Sequence, residues 1–115
     1  MKTFAELPLP PHVRAAVEDF KARLLRLFGQ RLELVKVFGS QVRGEAREDS
    51  DVDVLVVLDH AGYEELRQTL DLTCEILADY DLLIDPHIEA AERYRHRVEV
   101  GWPLIEEIEK DGVLV

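Results

Sequence analysis

Asp51 and Asp53 stand one residue apart at the head of a β-branched run, Val52 to Leu58, and ten residues separate Asp51 from a Gly39-Ser40 pair. Side chains at i and i+2 of a strand share a face. The two aspartates are therefore expected to aim four oxygens at one point. Gly39 lets backbone come close to a phosphate, and Ser40 offers a hydroxyl and an N–H where a short helix is expected to start. Helix N-termini favour anions through free N–H groups and the macrodipole. Arg43 and Arg47, in the connecting segment, are within reach of a triphosphate. Carboxylates beside a phosphate-holding turn suit Mg²⁺, which takes one or two carboxylates plus substrate phosphates. Two such ions, about 3.5–4 Å apart, clamp the attacking and leaving oxygens of an in-line displacement. The plain alternative for a bare Asp-x-Asp is a pair of turn caps at a strand end.

The elements that must position these residues read as an alternation of helices and strands. Pro11 sits at or just before the first turn of a helix beginning near His12, and Gly29 stops it. Val13, Ala16, Val17, Phe20, Leu24 and Phe28 make one apolar stripe along it. The Pro-rich residues before it read as a loose lead-in. Strand one covers roughly 33–38 and strand two roughly 52–58, the latter apolar enough to be covered on both faces. Asp53 is the anomaly inside it, because a carboxylate there is costly unless paired or bound to metal. Residues 61–79 read as a second long helix with Leu66, Leu70, Cys74 and Leu77 along one side, and Cys74 as a small buried apolar group. Strand three runs from Asp81 to Ile88, and Pro86 places it at a sheet edge. A polar helix follows, Pro103 opens a last helix, Gly112 ends it, and Val113-Leu114-Val115 is an apolar tail. This order predicts an α/β or α+β sandwich, a small mixed sheet with flanking helices.

A length of 115 residues fits one domain, spanning 1–115. No apolar run approaches the ~20 residues of a membrane span, and MKTFAELPLPP lacks the apolar centre of a signal peptide. A lone cysteine rules out an internal disulfide and suits a cytoplasmic location. The net charge of -10 argues against nucleic-acid binding, which depends on Lys and Arg neutralising phosphate. A basic protein partner suits it better.

Taken together, Gly39-Ser40, ten residues, then Asp51-Val52-Asp53 resembles the GS-x₁₀-DxD motif of the DNA polymerase β-like nucleotidyltransferase superfamily. The chain is most similar to the minimal nucleotidyltransferases, small prokaryotic proteins of which many are paired, as antitoxin, with a HEPN-domain toxin. Arg-Gly-Glu-Ala-Arg at 43–47, Ser50 and the closing DGVLV share the likeness. The resemblance implies the polymerase β palm-like fold. It implies ATP as substrate and Mg²⁺, two ions, as cofactor. Gly39, Ser40, Arg43, Arg47 and Ser50 would serve the nucleotide, and Asp51 and Asp53 the metal. A third carboxylate on the next strand is implied, with Asp85 the candidate and Asp81 the alternative of equal strand parity. Gln41 stands where many members have Arg. The activity implied is transfer of AMP to a hydroxyl on a partner, a HEPN toxin, by attack on the α-phosphorus with loss of pyrophosphate.

Other chemistry-bearing residues read more plainly. His87 shares strand parity with Asp85, which leaves two readings, a contact with the site or, more plainly, a polar residue on a partly open face. His12, His60 and His96 lack ligand spacing. Arg93, Arg95 and Arg97 read as a solvated helix face, and Trp102 with the apolar tail as core closure or a protein-binding patch. The competing function is a binding module that neutralises a partner by contact alone.

Overall fold

β-branched runs set the frame. The structure, a computed structural model, describes residues 2–47 and 50–115. β1 (Leu32–Phe38) and β2 (Val52–Leu58) pair antiparallel, and β2 pairs parallel with β3 (Ile84–Ala90). A two-residue strand, β4 (Val113–Leu114), lies antiparallel on the other side of β1, giving the order β3-β2-β1-β4. Pro86 therefore lies on an edge strand, where its missing N–H costs no ladder bond.

Parity along the strands sorts the core into two layers. Val35, Val37, Val52, Val54, Val56, Leu58 and Ile84 pack with α1 (Pro11–Phe28) and Ile76 of α3 (Tyr63–Tyr80) on one face. Phe38, Leu55 and Val57 pack on the other with α4 (Ala91–Val100) and α5 (Pro103–Asp111) through Ala91, Tyr94, Ile105 and Ile108. β2, covered on both faces, is the most buried strand, and Asp53 is its least buried position. α2 (Ser40–Arg43) is a single turn between β1 and β2.

Four expectations need correcting. The lead-in is not loose: Leu7 and Leu9 are buried, and Arg14 donates to the carbonyls of Phe4 and Leu7. Strand three starts at Ile84, because Asp81 caps α3 in the left-handed region at φ 51° and cannot extend the sheet. Cys74 is exposed, and Leu66, Leu70 and Leu77 beside it are 42%, 43% and 43% exposed; α3 instead turns Glu65, Thr69, Thr73 and Ile76 inward. Arg97 is no solvated bystander, since it pairs with Glu89 and lies over the Trp102 ring at 4.5 Å. The tail closes the far edge of the sheet, with Val113 buried and the Val115 N–H donating to the Val35 carbonyl at 3.0 Å.

Candidate active site

The site is a row across one face of the sheet. Register places Phe38 beside Asp53 and Asp53 beside Asp85, with Leu55 and His87 in the next row that shares the face. Side chains at these positions point toward the layer of α4 and α5; Phe38 is buried beneath it, while Asp53 is half-buried and Asp85 is exposed at the sheet's end. β2 and β3 run parallel, so both carboxylates sit near strand starts, level with the end of β1 and the turn into α2.

Gly39 is required there twice over. Its φ of 82° lies in the region that favours glycine. A Cβ built on it would stand 2.3 Å from Asp53 Oδ2. The turn thus packs directly on the half-buried acid. Ser40 opens α2, and the Val42 and Arg43 N–H groups close the turn onto the Gly39 carbonyl.

Asp53, Asp85 and His87 each offer one ligand atom within 4.8 Å of the others. His87 Nε2 lies 3.5 Å from Asp53 Oδ1 and 3.5 Å from Asp85 Oδ2, at the outer edge of hydrogen-bond reach. That nitrogen is buried and makes no well-formed bond among the described residues. Its ring meets Phe38 edge-on at 5.0 Å between centroids, which fixes its orientation. Burial pushes the Asp53 carboxyl above its ordinary range; His87 pulls it back, while Asp85 and Asp51 add to the rise. Such a knot of negative charge is costly unless a cation neutralises it.

The remaining expected residues lie around this trio. Asp51 is exposed, immediately before β2, near enough to Asp53 to raise its pKa but outside the trio. Asp81 is an exposed helix cap. Arg43 pairs with Glu45 at 3.1 Å. Arg47 and Ser50 tie the loop: the Arg47 N–H donates to Ser50 Oγ at 2.7 Å, and the Ser50 N–H to the Arg47 carbonyl at 3.0 Å. Gln41 is buried and donates to the Ser50 carbonyl at 3.4 Å, fastening α2 to the segment that delivers Asp51. A cavity of about 290 Å³ lined by Pro8, His12, Gln41, Arg47 and Leu82 lies alongside, yet takes in none of the trio. His87 joins the two acids as the third member of the trio. Its signal was there, two residues past Asp85 on the same face, but its contact with Asp53 depends on the parallel pairing of β2 with β3.

The family described as nucleotidyltransferase domain matches residues 17–115. The chain belongs to that family, and it is a nucleotidyltransferase. A Methanocaldococcus jannaschii protein that carries the provisional name protein adenylyltransferase is 30% identical over 100 residues, 86% of this chain and 94% of its own length. Protein adenylyltransferase MntA of Thermococcus cleftensis is 61% identical over a shorter 44 residues, 38% of this nucleotidyltransferase and 42% of its own chain. Among solved structures, a toxin–antitoxin complex with AMP-PNP superposes with a TM-score of 0.58 at 22% identity, over 84% of this chain and 70% of that one. A crystal structure from Sulfolobus solfataricus, provisionally named a nucleotidyltransferase, superposes with a TM-score of 0.51 at 22% identity over 99% of this chain and 86% of its own. At those identities the likeness is one of fold.

Proposed function

We propose that this nucleotidyltransferase moves AMP from ATP, with Mg²⁺, to a hydroxyl on a partner protein, and that it acts as the antitoxin of a HEPN-type toxin. The observation that carries the reading is the acid pair Asp53–Asp85, side by side on parallel strands with the Gly39 turn packed against the first. The names of the relatives and the toxin–antitoxin setting of the structural neighbours support the acceptor and the partner.

The donor set fits a divalent cation, because two carboxylates and a buried nitrogen without a well-formed hydrogen bond converge, and among the described residues no Lys or Arg pairs with them. When bound there, such an ion neutralises the triphosphate and acidifies an attacking hydroxyl. Asp53 and Asp85 would hold it, and Asp51, at the mouth of the same strand, would add carboxylate oxygen for a second ion. Gly39 and Ser40 seat the phosphates at a turn whose φ favours glycine and where a Cβ would press on Asp53. Arg43 and Arg47 supply guanidinium groups along the same loop, and Ser50 holds that loop in shape. The catalytic work of the chain is positioning and charge neutralisation rather than covalent chemistry. Residues 1–115 form one transferase domain, which works in the cytoplasm.

The test is transfer of label. The protein is mixed with α-labelled ATP, Mg²⁺ and the HEPN-type protein encoded beside it. Label on the partner, lost in Asp53→Asn and in Asp85→Asn, is the expected result. Neutralisation of the partner that persists in both variants without label would leave a binding module in place of the transferase.

A further inference from the structure

We infer that His87 is itself a metal ligand, and that it makes this site hold Mn²⁺ in clear preference to Mg²⁺. The inference rests on the proposed metal-dependent reading and adds to it a residue and a selectivity. A carboxylate-only site offers hard oxygen, which suits Mg²⁺. Imidazole nitrogen belongs to the donors that first-row transition ions accept and Mg²⁺ does not seek. His87 Nε2 faces both Asp53 and Asp85 at 3.5 Å, too long for strong hydrogen bonds and well placed to close with them on a shared ion. The same nitrogen is buried and without a well-formed partner. A buried polar atom left unpaired is costly and calls for an explanation such as an absent ion. The ring does not reach the site by chance rotation. Phe38 stands edge-on to it, and Phe38 and Asp53 are register neighbours, so one strand pair sets both the acid and the wall that orients the imidazole.

A structural role for His87 makes a different prediction from a ligand role. As a mere spacer between two acids, the ring would leave metal preference unchanged when replaced. As a ligand, it contributes to Mn²⁺ affinity and little to Mg²⁺ affinity. The probes are the two metals alone, with no nucleotide. Pulsed electron paramagnetic resonance of the Mn²⁺-loaded wild-type protein is expected to show a directly coordinated histidine nitrogen, and this reading needs no variant. Calorimetry is expected to show the Mn²⁺-over-Mg²⁺ preference falling at least about tenfold in His87→Ala and in His87→Gln. Circular dichroism establishes that each variant folds.

Mn²⁺ binding without a coordinated nitrogen, or an unchanged preference in folded variants, overturns the inference and leaves the metal site standing. Failure of the wild-type protein to bind either ion overturns the metal-dependent reading of the site as well.

Discussion

α1 and α3 are helices of equal length, 18 residues each, and both carry an apolar stripe at helical spacing. In α1 the stripe goes inward: Val13, Ala16, Val17, Phe20, Leu24 and Phe28 are all buried. In α3 the leucines at 66, 70 and 77 stay more than two-fifths exposed, while Thr69, Thr73 and Ile76 face the sheet. Periodicity therefore tells that a helix has faces, and not which one is covered. α3 crosses from the end of β2 to the start of β3. Its inward polar groups are paired where they lie. Glu65 accepts from the Gly62 N–H at 2.9 Å and from Arg31 at 3.1 Å, and the Thr69 hydroxyl donates to the Glu65 carbonyl at 2.8 Å. The contact between the helices is polar as well. Asp19 accepts from Arg23 and, at 2.7 Å, from the Tyr80 hydroxyl, and Arg23 reaches Asp79 at 2.7 Å.

The contrast can be broken by mutation. Phe20→Ala empties a fully buried site on α1 and is expected to cost about 3–5 kcal/mol in urea unfolding. Ile76→Ala probes the inward face of α3 and is expected to cost about 2–5 kcal/mol. If Ile76→Ala proved as mild as a surface change, the inward face would be misassigned.

Tyr80→Phe sharpens the comparison through pH. Arg23 first, and Tyr80 second, hold the Asp19 carboxyl below its ordinary range. A lowered carboxylate pKa adds stability above the unfolded value of about 3.9, and that stability is lost as pH falls through the folded value. Wild type is therefore expected to exceed Tyr80→Phe at pH 6, and the gap in urea midpoint to narrow by pH 3. A gap independent of pH would mean that the bond does not favour the ionised form of Asp19. Leu70→Gln, on the outer face of α3, is expected to stay within about 0.5 kcal/mol of wild type. A similar change at Leu24 of α1 would bury an amide without partners.

Local chemistry was legible, and long-range geometry less so. The turn at Gly39, the strand from Val52 to Leu58 and the edge position forced by Pro86 all follow from the residues themselves. So does the burial of the α1 stripe, whose six positions have no polar competitor. Asp53 announced itself as a charge in an apolar strand, and Asp85 likewise. The rest depends on which strands become neighbours. His87 meets Asp53 only because β2 and β3 align as they do, and the tail gains its place only by pairing with β1. The outward leucines of α3 misled because hydropathy alone cannot weigh a threonine or glutamate whose polar atoms are already satisfied.

Asp85 rides on the outermost strand of the sheet. Under the proposed function, a reacting centre at the rim, rather than at the bottom of a cleft, leaves room for something as bulky as another folded molecule to be brought alongside. In the proposed transfer, a hydroxyl on such a surface is presented without first being threaded through a channel, and the fit of two exteriors selects the target.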